Sequence, residues 1–350
     1  MTSSALAFAY DGAVNFATPN ATLVLPADAP REAWLEARTQ GIGGSDVSAI
    51  VGLNKWASAY SVWLDKLKLA PPKPETMAMK MGNLLEPIVR ELFTEASGLR
   101  VRQRGLLRSK SHPFMQYTPD GLTEDGGLLE CKTSNGWLSH EWEDGQVPDH
   151  AELQVQHGMA VTGRTHAWVC GLLDGRDWFM RRIERDDDLI TELIAIEERF
   201  WTQHVLTSEA PPAVKSDLEL LKAQYGNAVS EPPATAPVAE LAELREAHTS
   251  LGKQIKELEK ERDNTAARIR QLAGDKELLA GAEDQRVYFT IKQNGAFSAR
   301  KFEADHPELA AKYQKTVTQL DSKALQEAEP GLYGKYRARV LRAPALKDAK

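Results

Sequence analysis

Three short stretches of this chain carry residue types capable of chemistry. In Tyr117-Thr118-Pro119-Asp120-Gly121 an aspartate closes an expected strand, and ten positions on Glu130 and Lys132 stand two apart in Leu128-Leu129-Glu130-Cys131-Lys132. Side chains alternate along a strand, so Glu130 and Lys132 share one face and Leu129 and Cys131 the other. A hairpin through the Gly- and acid-rich turn between the two stretches sets Asp120 beside Glu130. Adjacent carboxylates repel, and a hard cation relieves that repulsion. An ammonium alongside supplies positive charge where a phosphoryl transition state gains negative charge. The chemistry that fits is metal-assisted phosphodiester hydrolysis, in which the cation polarises phosphate and acidifies a bound water. The bare spacing suits a surface hairpin equally well; the flanking Leu and Cys argue for an interior strand.

The second stretch is Met81-Gly82-Asn83-Leu84-Leu85-Glu86-Pro87. Glu86 stands in an apolar turn before a proline that frees the carbonyl four residues back. It reads either as a first-turn acid of a new helix or as a third carboxylate facing the same site. The third stretch runs from Arg38 through Gly41-Ile42-Gly43-Gly44-Ser45-Asp46. Its glycines let backbone N–H groups approach a ligand, Ser45 or Asp46 caps the helix that follows, and a nearby Arg makes such a terminus an anion site. An ordinary capped turn reads the same way, and the Lys-Ser/Thr ending of an NTP-binding loop is absent. Further on, Gln154 and Gln156 fall on different faces of an expected helix, one towards the site and the other towards solvent. Arg100, Arg102 and Arg104 alternate before the Asp120 strand, a pattern that projects them from one face as a phosphate track, with solvated strand charges as the plainer reading.

The elements that must position these residues are a mixture of helices and strands. Helices are expected over 31–39, from Ser45 or Asp46 onward, over 59–68, 76–97, 149–162 and 187–204. Strands are expected over 99–108, 115–120, 127–132 and 166–173. Helix, three strands, helix, strand, helix reads as one α/β domain with a central sheet over about residues 31–205. Residues 1–30, low in charge, read as a flexible N-terminal arm. A Pro-rich linker with one short helix near 217–225 follows over 206–237. Between 238 and 281 Leu241, Leu244, Leu251, Ile255, Leu258, Ile269 and Leu272 keep heptad spacing, interrupted by His248 and Arg262, as in a coiled-coil-like helix. Residues 282–350 read as a small α/β region with strands near 286–292 and 297–302.

The chain has 350 residues, 43 Lys and Arg against 50 Asp and Glu, a net charge of −7, 42% hydrophobic residues and two cysteines. That composition excludes wholesale disorder and a disulfide-stapled mini-fold. No apolar run approaches the roughly 20 residues of a membrane span, and the opening lacks the cationic stretch of a secretory signal, so a cytoplasmic location and no membrane partner are expected. A net acidic balance does not exclude a local basic groove.

In their order and separations, Arg38 to Asp46, Gly82 to Pro87, Pro119-Asp120, Glu130-Cys131-Lys132 and the Gln154-Val155-Gln156 helix resemble the YqaJ-type viral recombinases. These are relatives of phage lambda exonuclease within the PD-(D/E)xK nuclease superfamily. The resemblance covers about residues 31–205. It implies a restriction-endonuclease-like core, a central mixed sheet flanked by helices, with the C-terminal helical region as an extension. It implies a Mg²⁺-dependent DNA exonuclease acting 5′→3′ on double-stranded ends in phage-type homologous recombination, with Mn²⁺ able to substitute. By the same resemblance Asp120, Glu130, the Cys131 carbonyl and Glu86 hold metal. Lys132 orients or activates water, and Arg38 and Ser45 grip a 5′-phosphate, with Gln154, Gln156, Arg102 and Arg104 along the DNA. A homo-oligomer such as a trimer, a single-strand annealing partner, and a phage or prophage origin in a bacterial host also follow from it. An endonuclease or single-strand-specific nuclease of the same chemistry, or a non-catalytic DNA-binding or assembly module, are the alternatives.

Overall fold

The computed structural model describes residues 14–71, 75–226, 233–313, 319–337 and 341. Residues 1–13 of the expected arm, and Pro72, Pro74 and Pro232 of the Pro-rich stretches, lie outside the described residues. Two compact units are present, Met1–Tyr225 and Gly226–Lys350.

The first unit opens with β1 (Ala21–Leu23). This short strand pairs antiparallel with β3 (Leu107–Ser109), which in turn pairs with β4 (Gln116–Tyr117). Residues 21–23 therefore belong to a three-stranded sheet and are not part of a loose arm. The helices that follow begin where local chemistry starts them. α1 (Arg31–Arg38) follows Pro30. α2 (Gly44–Ile50) follows a Gly43 N–H held at 2.9 Å by the Asp46 carboxylate. α3 (Ala59–Lys66) is capped by Ser58, whose hydroxyl oxygen accepts from the Ser61 N–H. α4 (Met77–Ser97) is capped by Thr76 and ends on Gly98, whose φ of 71° is the left-handed turn that glycine supplies without strain. Pro87 lies inside α4, and the helix runs on through it.

The second sheet has five strands, in the order β2 (Val101–Arg102), β5 (Gly121–Thr123), β6 (Leu128–Ser134), β7 (His166–Leu173) and β8 (Asp177–Glu184). β6 and β7 are parallel and the other neighbours antiparallel, so the sheet is mixed. Parallel neighbours need a long crossover. Here it contains a 3₁₀ segment (Gly136–Gly145) and α5 (Asp149–Thr162). β7 is buried at all its positions. On one side Leu128 and Val169 pack with Val155 and Met159 of α5. On the other Leu129, Trp168 and Cys170 pack on Val89 and Phe93 of α4. The sheet is thus sandwiched between helices, and each buried Leu or Val adds about 1.5–3 kcal/mol.

Several expected elements differ. The strand over 99–108 is two short pieces in different sheets, β2 and β3, broken at 103–106. β8 was not expected, because its Arg181-Arg182 pair masks the alternation of Trp178 and Met180 towards one core and Phe179 and Ile183 towards the other. After α6 (Asp187–Phe200), the chain does not leave as a plain linker. α7 (Leu218–Gln224) returns to the domain: the Ser58 hydroxyl donates to buried Asp217 at 2.6 Å, Tyr60 donates to Gln224, and Leu220 and Leu221 join the core around Trp63.

The second unit holds α8 (Val238–Ala273), the hairpin of β9 (Leu278–Ala280) and β10 (Val287–Thr290), and the short helices α9 (Ala299–Asp305), α10 (Pro307–Lys312), α11 (Ser322–Ala328) and α12 (Pro330–Lys335). The strand expected near 297–302 is instead the start of α9, because Ser298 caps a helix there. Along α8, Leu241, Leu244, Leu251, Ile255, Leu258 and Leu272 are exposed.

Candidate active site

Register brings the carboxylates together. β5 and β6 pair with Gly121 opposite Leu129, so Asp120, one residue earlier, arrives at Glu130. Asp120 Oδ2 accepts from the Cys131 N–H at 2.7 Å. Glu130 is 2% exposed, and both its oxygens are engaged. Oε1 accepts from Lys132 Nζ at 2.7 Å and from Gln154 Nε2 at 2.6 Å, and Oε2 accepts from the Tyr117 hydroxyl at 3.0 Å. Lys132 Nζ donates also to Gln154 Oε1 at 2.7 Å, closing a triangle of Glu130, Lys132 and Gln154. Gln154 is therefore the glutamine that faces the site.

The charges strain one another. Burial, then the neighbouring Glu130 and Glu86 carboxylates, pushes the Asp120 carboxyl well above the ordinary carboxylate range. Burial by itself would lower the Lys132 ammonium, but Glu130 and Asp120 outweigh it and raise its pKa. Lys132 therefore stays protonated at neutral pH. Burial, Glu130 and Asp120 raise the Tyr117 phenol well above its ordinary value, which keeps it a donor.

Glu86 stands at the wall of the same cleft and pairs with Arg90 one turn along α4. Pro87 has no N–H, so the Asn83 carbonyl, also at the wall, loses its usual helical donor. Among the described residues no three His, Cys, Asp or Glu side chains form a ready-made metal cage. The donor chemistry nevertheless fits a hard divalent cation. Asp120 is held near two further carboxylates at a cost that positive charge would relieve, and its Oδ1 makes no hydrogen bond among the described residues.

The cleft has a volume of about 490 Å³ and gathers Arg31, Arg38 and Arg104 with Ser45, Glu86, Asp120 and Gln154. Arg38 lies over the Trp34 ring, its centre 5.5 Å from the ring centroid, and donates to Asp46 Oδ1 at 2.7 Å. Ser45 is exposed in the first turn of α2. Three expected DNA contacts are relocated. Gln156 is 1% exposed, donates to the Glu184 carbonyl and accepts from the Asp186 N–H, so it ties α5 to the end of β8 and faces neither site nor solvent. Arg102 lies over Phe16, and Arg100 pairs with Glu124, so only Arg104 of that run lines the cleft. The chain turns away at 103–106, which destroys the single face that alternation predicts.

Sequence reasoning missed three groups. Tyr117 carries no signal of its own, because alternation along a strand sets it on the face opposite Asp120; β4 ends at Tyr117, and the irregular backbone after it lets both residues reach β6. Asp46 read as a cap alone, although it also holds Arg38. Lys66 gave no signal, since only the fold shows that its ammonium is buried.

A mixed sheet between helices, with an Asp, a Glu and a Lys meeting where adjacent strands register, defines a mixed α/β domain with a buried acidic site. Residues 33–165 match the family model described as the YqaJ-like viral recombinase domain. Over 292 residues the chain is 31% identical to the protein YqaJ of Bacillus subtilis (strain 168), covering 81% of this chain and 91% of YqaJ. The chain belongs to the YqaJ-like viral recombinase family. It is also similar to the alkaline exonuclease LHK-Exo of Laribacter hongkongensis, at 27% identity, with 56% of this chain and 98% of that one covered and a TM-score of 0.45. A phage-related exonuclease from Haemophilus somnus gives 17% identity, coverages of 48% and 96%, and a TM-score of 0.38.

Proposed function

We propose that this protein is a divalent-cation-dependent deoxyribonuclease that degrades double-stranded DNA from 5′-phosphorylated ends in the 5′→3′ direction, as a step of phage-type homologous recombination. The observation that carries this reading is the Glu130–Lys132–Gln154 triangle beside Asp120, with Gln154 and Asp120 lining a cleft that also holds Arg38, Ser45 and Arg104. Asp120, Glu130, Glu86 and the Cys131 carbonyl would hold Mg²⁺, which supplies polarisation of the phosphate and a more acidic water. The chain's own groups do the rest. Lys132 places a permanent positive charge against the charge that grows on the scissile phosphate. Gln154 fixes that ammonium, and Tyr117 fixes Glu130 from behind. Arg38, Arg104 and the Ser45 hydroxyl take the terminal phosphate by charge-assisted hydrogen bonds.

Incubation with Mg²⁺ on linear and closed circular duplexes, with 5′-phosphate or 5′-hydroxyl ends, tests this directly. Linear duplex with 5′-phosphate should be degraded fastest, and circular duplex should remain intact. Arg38→Ala should erase most of the difference between the two kinds of end. Cleavage of closed circles, or equal rates on both ends, would favour an endonuclease; activity in excess EDTA would end the metal reading.

A further inference from the structure

One buried charge has no part in the chemistry above. Lys66 is on α3, and its side chain is 0% exposed. Its Nζ donates to Asp46 Oδ2 at 2.6 Å and to the Arg38 backbone carbonyl at 3.2 Å. The other oxygen of Asp46 takes Arg38 Nη2, and the Gly43 N–H shares Oδ2 with the lysine. One buried carboxylate thus stands between two cations, and among the described residues the only further acid within ion-pair reach of either cation, Asp65, is half exposed and 3.8 to 4.0 Å away.

That arrangement decides what Arg38 has left to offer. A carboxylate with both oxygens free takes an arginine in a bidentate fork, occupying two donors and cancelling its charge. Here the second oxygen is already filled, so Asp46 holds Arg38 through Nη2 alone, and Asp65 faces Nε at 3.8 Å, beyond hydrogen-bond reach. Its Nε is buried with no hydrogen-bond partner among the described residues, and Arg38 borders the cleft. Two cations against one buried carboxylate also leave the trio with net positive charge, which Asp65, half exposed and screened by solvent, offsets only in part.

We infer that Lys66 is a positioning residue for the cleft: by occupying one oxygen of Asp46, it keeps Arg38 singly tethered and charged, ready for a 5′-terminal phosphate. The inference rests on the 5′-phosphate reading of the cleft. Without the lysine, Asp46 Oδ2 keeps only the Gly43 N–H and has a lone pair free for a second Arg38 donor, so Asp46 closes on Arg38 as a fork and the cleft loses its grip on phosphate. Asp120, Glu130 and Lys132 stay as they are.

Binding of short duplexes with 5′-phosphate or 5′-hydroxyl ends, measured in EDTA by the full chain, separates the outcomes. The parent should favour the phosphorylated end. Lys66→Met, folded by circular dichroism, should lose about 10-fold of that preference, the worth of one charge-assisted contact, with binding of hydroxyl ends and kcat at saturating DNA changed less than about 2-fold, since neither uses that contact. Lys66→Leu, which likewise removes the donor, makes the same comparison if methionine prevents folding. In Asp46→Asn/Lys66→Met the neutral amide cannot clamp Arg38, and the preference should return. A folded Lys66→Met with the parent's preference, an equal loss on both ends, or no recovery in the double variant would overturn the inference while leaving the 5′-phosphate reading intact. A parent with no preference would remove both.

Discussion

At the scale of single residues, the acidic pair sets the behaviour of the cation-free protein. The Asp120 carboxyl is raised by burial and by Glu130 and Glu86. A carboxyl raised on folding contributes stability below its unfolded pKa and loses it as pH climbs through the folded value. The cation-free protein should therefore lose stability between mildly acidic and alkaline pH, and Mg²⁺ should restore it. Asp120→Asn keeps an acceptor for the Cys131 N–H and removes the charge. Its melting temperature without cation should exceed the parent's by about 2–4 °C per kcal/mol of relieved repulsion, more at pH 8 than at pH 5. Thermal melts at the two pH values check this; a lower midpoint at pH 8 counts against the repulsion argument. Asp120→Asn and Glu130→Gln should both abolish Mg²⁺-dependent cleavage. Lys132→Met should lower kcat by about 10²-fold or more while DNA binding, measured with Ca²⁺, stays within a few-fold. A loss confined to binding would move Lys132 out of the reaction step.

At the scale of elements, the site depends on how closely α5 lies against β4. A Cβ on Gly158 would meet the Tyr117 ring at 2.6 Å. That ring is wholly buried and carries the hydroxyl that holds Glu130. Gly158→Ala should therefore cost about 1–3 kcal/mol through overpacking. It should also depress cleavage beyond what the fraction of folded protein explains, because displacing Tyr117 leaves a buried carboxylate oxygen short of a donor. Denaturant melts together with rates at full folding separate the two effects. Much of this site was legible in the sequence. Period-2 alternation put Glu130 and Lys132 on one face, and the turn residues put Asp120 opposite. The legible parts are those fixed by a few consecutive residues. Gln156, Arg102, Tyr117 and Lys66 were misread or missed because their surroundings come from β8, Phe16, β6 and Asp46, segments that periodicity within one element does not reveal.

At the scale of the whole molecule, the cleft residues all precede Tyr225, and α7 packs on the first unit. Truncation after Tyr225 should leave a folded, cation-dependent nuclease, whereas truncation at about 205 should be less stable because it strips Asp217 and Leu221 from that core. A folded 1–225 fragment that cleaves no DNA end would show that the second unit completes the site. The apolar stripe of α8 needs cover in solution. In a parallel pair Arg262 would face Arg262 and His248 would face His248, a penalty that an antiparallel or interrupted packing avoids. Light scattering on the full chain and on Leu251→Glu should show whether that cover is a second copy.

The parallel pairing of β6 and β7 has a further consequence in time. Every rung of that ladder joins residues 39 apart, Leu128 facing Ala167 (167 − 128 = 39). Such long-range closures are slow, because chain entropy is lost before contacts compensate. The strand bearing Glu130 and Lys132 gains its second neighbour only when the whole crossover has been threaded and docked. During refolding from denaturant, helical signal should thus return well ahead of cleavage, and a nascent chain shorter than about 173 residues would hold Glu130 and Lys132 on a strand still open along one edge.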